Sequence, residues 1–112
     1  DCVFLDEAAA RRHLAGRDVE IVPGDIVHTA FRVKDRDILL AFIDTDNYTS
    51  ATAALDAIQN QIVPGGAIVF DHFTGVDRFL YTLGERFAAK RLLSDPRFFN
   101  LHGTGVFLRQ SL

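Results

Sequence analysis

Two apolar runs that each stop on an acid constrain this chain more than any other feature. Ile38 to Ile43 (Ile-Leu-Leu-Ala-Phe-Ile) ends at Asp44, with a second carboxylate at Asp46, and Ala67-Ile68-Val69-Phe70 ends at Asp71-His72. An unbroken apolar run of this length reads as a strand buried on both faces, as in a parallel sheet. Open α/β sheets bind ligands in the crevice beyond the carboxyl ends of their strands. Two neighbouring parallel strands would therefore bring Asp44, Asp71 and His72 into one crevice. Two carboxylates and an imidazole suit a hard or borderline divalent cation, Mg²⁺ tolerating the imidazole least. The plainer reading of the same residues makes Asp44 a helix cap and His72 an ordinary loop residue.

The flanking sequence supplies the rest of an α/β pattern. Asp6 to Gly16 reads as a helix, with acids first, strong helix formers inside and bases near a glycine stop. Val19 to Val22 reads as a short strand closed by Pro23-Gly24-Asp25, and Ile26 to Arg36 as a loop with a helical turn. Thr49 or Ser50 can cap a helix whose buried face holds Ala51, Ala54, Leu55, Ile58 and Ile62, ended by Pro64-Gly65-Gly66. A longer amphipathic helix follows, with Val76, Phe79, Leu80, Leu83 and Phe87 as its stripe, broken at Ser94-Asp95-Pro96. Phe98–His102 and Val106–Arg109 then form a hairpin around Gly103-Thr104-Gly105. This alternation predicts a mostly parallel sheet with helices on both sides and a C-terminal antiparallel hairpin.

The chain's 112 residues suffice for one domain with one core. A net charge of −3 gives no support for a nucleic-acid or anionic-membrane partner. No apolar run approaches the roughly 18 residues of a membrane span. The single Cys2 makes no intrachain disulfide and is compatible with the cytoplasm. The sequence has no Met and opens in the middle of an α/β unit, which reads as a fragment.

Other candidates lie near the same end of the sheet. Asp46, Asn47 and Tyr48 follow the first strand; Asp46 is either a supporting carboxylate or a general base, and capping explains these residues as well. Gly24 and Asp25 either admit a ligand to the backbone and accept from its amine, or simply form a turn. His13, His28 and His102 are isolated, and Gly103-x-Gly105 is no phosphate loop because no helix follows it.

Taken together, the strand ending Ile-Asp-Thr-Asp-Asn-Tyr, the segment Val-Pro-Gly-Gly-Ala-Ile-Val-Phe-Asp-His and the final hairpin resemble the latter half of a class I S-adenosylmethionine-dependent methyltransferase. Within that superfamily the chain is most similar, over residues 6 to 109, to the macrocin O-methyltransferase group, which methylates sugar hydroxyls of natural products. The resemblance implies a Rossmann-like fold and methyl transfer to the hydroxyl of a small molecule. It also implies that Asp44 and Asp71 ligate a divalent cation, usually Mg²⁺. His72 stands where the family has a second Asp or an Asn, a departure that bears on which metal is held and whether one is. Asp25 matches a contact to the adenine amine of the donor, flanked by Gly24 and Ile26. Asp44 or Asp46 would take the hydroxyl proton, with the choice open. The family's first strand, Gly-rich loop and ribose-binding acid would precede Asp1, so these residues alone are expected neither to bind the donor tightly nor to turn over. An open sheet edge would favour self-association into a homo-oligomer. The competing readings are a metal-dependent Asp-x-Asp phosphatase or glycosyltransferase, and a non-catalytic methyltransferase-like binding module.

Overall fold

The computed structural model describes residues 6–73 and 83–111. Asp6 opens α1 (Glu7–His13) by accepting the Ala9 N–H at 2.7 Å, and α1 buries none of its residues. The expected strand at Val19–Val22 does not form. β-branched residues favour extension, but a strand needs a neighbour to take up its N–H and C=O groups, and no described strand pairs with this one. Asp25 caps α2 (Ile26–Thr29), accepting the Val27 N–H at 3.0 Å, and a 3₁₀ turn carries on from Ala30 to Val33. The segment read as a loop with a helical turn is thus helical from Ile26 as far as Val33.

β1 (Ile38–Ile43) and β2 (Ile62–Phe70) are parallel neighbours joined through α3 (Tyr48–Ile58). After α4 (Leu83–Leu93), a hairpin of β3 (Phe98–Asn100) and β4 (Val106–Arg109) completes a four-stranded mixed sheet. Its order is β1-β2-β4-β3, with β4 antiparallel to both of its neighbours. An α/β sheet with a terminal antiparallel hairpin is what the sequence implied, although only one of the described pairings is parallel.

Pro64-Gly65-Gly66 does not end a helix. α3 stops at Ile58, a 3₁₀ turn spans Gln59–Gln61, and the three residues lie inside β2. Between Ile38 and Leu40 the partner on β2 jumps from Ile62 to Ala67, a bulge that takes up the extra residues. Glycine is required there. Gly65 has φ +88°, and a Cβ on Gly66 would lie 2.6 Å from the Leu39 carbonyl oxygen.

One face of the sheet, with Ile43, Ile68, Phe70 and Phe107, is buried beneath α3 and α4. The other is not covered by any described helix: Leu40 is 63% and Phe42 61% exposed. β1 is therefore buried on one face only, because no described element packs on the other. α4 also turns a different face inward than expected. Its buried residues are Glu85, Ala88, Ala89 and Leu92, while Phe87 is exposed with the Lys90 ammonium 4.8 Å over its ring. Val76, Phe79 and Leu80 lie outside the described residues. Among the described residues, no helix is long and apolar enough to cross a membrane.

A polar network ties the ends of α3 and α4 to β3. Asp95 accepts from Arg97 Nε at 3.0 Å, from Arg97 Nη2 at 2.7 Å, from the Arg97 backbone N–H and from Gln59 Nε2. The Arg97 hydrogen bonds hold the Asp95 carboxyl well below the usual carboxylate range. A lowered folded-state value stabilises the fold above the unfolded value of about 4, and that stabilisation is lost as the pH falls below it. Asp95→Asn is expected to cost about 1.5–3 kcal/mol at neutral pH. It should also flatten the fall in melting temperature between pH 5 and 2, which thermal melts across that range would measure.

Candidate functional site

The register of the parallel pair builds the site. Ile43 lies opposite Phe70, so Asp44 and Asp71 leave the sheet side by side, and the Asp71 N–H still donates to the Ile43 carbonyl at 3.0 Å. His72 comes next. Its Nδ1 lies 3.0 Å from Asp71 Oδ2, 3.2 Å from Asp46 Oδ1 and 3.9 Å from Asp44 Oδ1. Asp44, Asp71 and His72 are brought together as the strand ends required, and Asp46 joins them.

Asp46 reaches this position by an unusual backbone. Its φ is +62°, the left-handed region, which costs a non-glycine residue about 1–2 kcal/mol. The turn lets Asn47 cap α3, accepting the Ser50 N–H at 2.8 Å while its amide donates to the Thr45 carbonyl at 3.0 Å. Neither Thr49 nor Ser50 is the cap, and Asp44 does not serve as one.

Sequence reading missed Glu85. It is the one buried charged residue among the described residues, at 0% exposure. Its Oε2 accepts the N–H groups of Thr45 and Asp46, and its Oε1 accepts that of His72, all at 3.0 Å. A signal for it exists in the sequence. Glu85, Ala88, Ala89 and Leu92 repeat at helical spacing, so Glu85 is a charge set into an otherwise apolar stripe.

Donor atoms of Asp44, Asp46, His72 and Glu85 all lie within 4.8 Å of one another, a set of oxygens and one imidazole that fits a hard or borderline divalent cation. Asp71 touches His72 but lies outside that quartet. The charge balance points the same way. Partial loss of solvation, then the neighbouring carboxylates of Asp71, Asp46 and Glu85, push the half-exposed Asp44 carboxyl above its ordinary value, and His72 only partly opposes them. A cation here would relieve that repulsion.

The donor-side candidates are placed less closely. Gly24 has φ +127° and forms a turn, and the Asp25 carboxylate is engaged in capping α2. Ile26 does reach the site: with Ala30 and Val33 it faces Ala41 to Thr45 across a cavity of about 360 Å³ that also takes in Asp44.

The sequence model of the macrocin O-methyltransferase (TylF) family matches residues 5–110. Two solved structures are similar to this chain over 81% of its length, each at 27% identity and a TM-score of 0.60. One is apo CalS11, described as a TDP-rhamnose 3′-O-methyltransferase of calicheamicin biosynthesis; the other is CalS11 as a calicheamicin methyltransferase. The match covers 41% and 37% of those chains, so this chain spans about two fifths of their length. No curated protein sequence matches it.

Proposed function

The chain belongs to the macrocin O-methyltransferase family, and from that membership we propose that it forms part of an S-adenosylmethionine-dependent O-methyltransferase acting on a hydroxyl of a small molecule. A sugar hydroxyl of a natural product is the first acceptor to test, given what the CalS11 structures are described as methylating. The observation that carries this reading is the convergence of Asp44, Asp46 and His72 at the ends of β1 and β2.

In the reaction, the acceptor oxygen attacks the methyl carbon of the sulfonium donor. The O–C bond forms as the S–C bond breaks, the electron pair leaves on sulfur, and the hydroxyl proton passes to a carboxylate. Asp44 or Asp46 would take it, a role that the nearness of the two carboxylates to each other supports. A divalent cation held by Asp44, Asp46 and His72, with Asp71 beside them, would lower the pKa of the hydroxyl and orient it. The residues' own task is to fix the oxygen in line with the methyl group, since alignment supplies much of the rate. Ile26 and the cavity it shares with Asp44 offer an apolar wall to the donor.

The intact protein should move a labelled methyl group from S-adenosylmethionine to deoxysugar nucleotides, and a chelator should suppress the transfer. Release of phosphate from a phosphate ester, with no methyl transfer, would replace this reading with an Asp-x-Asp phosphatase. Neither activity, together with cation binding indifferent to Asp44→Ala, would leave a non-catalytic binding module.

A further inference from the structure

We propose that Glu85 is a positioning residue: one buried carboxylate that joins the two strand-end loops and presets the spacing of Asp44, Asp46 and His72. The inference rests on the proposed function for its purpose, but its geometry stands independently of any cation or donor.

Thr45 and Asp46 present consecutive backbone N–H groups to one oxygen, a concave arrangement that elsewhere receives anions. Here the chain's own carboxylate fills it. The second oxygen takes the His72 N–H from the neighbouring strand end, so a single side chain spans both loops. Three N–H groups that would otherwise need water are satisfied by one helix residue. The clamp also explains how Asp46 stays in the left-handed region, because its N–H is one of the three.

Glycine brings the helix close enough. A Cβ on Gly84 would overlap the backbone nitrogen of Tyr48 and come within 3.1 Å of the Asn47 carbonyl carbon. The first turn of α4 therefore rests directly on the start of α3, and Glu85 enters behind the loop. The side chain cannot be shortened and still serve both loops. Aspartate is one methylene shorter, and glutamine would turn an N–H₂ towards one group of donors.

Three proteins test this: the wild type, Glu85→Gln, and Leu92→Val as a control. Leu92 is buried on the same helix face but touches none of the three amides by hydrogen bond. Two readouts are needed. The first is hydrogen exchange at the amides of Thr45, Asp46 and His72 without any metal; the second is Mn²⁺ affinity by calorimetry. Glu85→Gln should abolish protection at one or both loops and weaken Mn²⁺ binding by about tenfold or more. Leu92→Val should lower the melting temperature yet keep both readouts near wild type.

Unchanged protection of the three amides in Glu85→Gln would overturn the proposal. So would equal losses in the Leu92→Val control, which would reduce the effect to general destabilisation. If Mn²⁺ binding vanished while protection persisted, Glu85 would be a ligand and not a clamp. A wild type that binds no Mn²⁺ but loses amide protection on Glu85→Gln would keep the clamp and remove the cation from the proposed function.

Discussion

Asp44→Asn is expected to stabilise the cation-free protein while removing its capacity to bind a divalent ion. The side chain sits at the point where β1 leaves the sheet, with three other carboxylates near it and one imidazole in partial compensation. Partial loss of solvation and those neighbours raise its carboxyl above the ordinary value, although the side chain is about half exposed. The sign follows from linkage. A carboxyl whose folded-state value is raised destabilises the fold where it is ionised, and that cost disappears as the pH falls through the folded value to the unfolded one of about 4. The amide introduced by Asp44→Asn carries no charge to repel, so the variant should melt higher than wild type at pH 7, with the difference closing towards pH 4. Mn²⁺ should reverse the order. It should raise the melting temperature of the wild type and leave Asp44→Asn unmoved, with affinity down by about a hundredfold, or roughly 3 kcal/mol. Methyl transfer by the intact protein should fall at least as far. A variant that melts lower than wild type without metal and still gains stability from Mn²⁺ would show that Asp44 is neither repelled nor a ligand.

What could be read in the sequence was whatever a residue decides alone or with its immediate neighbours. The runs ending at Asp44 and Asp71 needed no knowledge of the fold to be recognised as strands, and parallel pairing then put their tips together. The glycine-centred hairpin of β3 and β4 was equally local. The misreadings arose where a distant partner decides. Val19–Val22 has the composition of a strand but nothing to pair with among the described residues. Asn47, Thr49 and Ser50 are all capable caps, and the left-handed turn at Asp46 selects the first. Pro64-Gly65-Gly66 reads as a helix stop until the bulge opposite Leu39 gives the glycines a different task. Glu85 was hidden by a phase error: taking Phe87 as buried rotated α4 and turned the one inward charge to solvent.

Phe107→Ala should cost about 3–5 kcal/mol, the range for deleting a buried aromatic ring, against a total of about 5–15 kcal/mol for a domain. Phe107 is fully buried on β4, inside the sheet, and stands edge-on to two other rings. Its centroid lies 5.8 Å from that of Phe70 and 5.5 Å from that of Phe73, at 83° and 82°. Those partners bracket Asp71 and His72 in the chain. The same cluster that closes the core therefore supports the second strand end from beneath, and a cavity there would loosen the site as well as the fold. Hydrogen exchange at the His72 amide should rise in Phe107→Ala beyond what the loss of global stability accounts for. Phe107→Leu refills much of the space and should cost nearer about 1.5 kcal/mol. The denaturant midpoints of the two variants would rank them. If alanine cost no more than leucine, the ring would not be packed as the three centroids require.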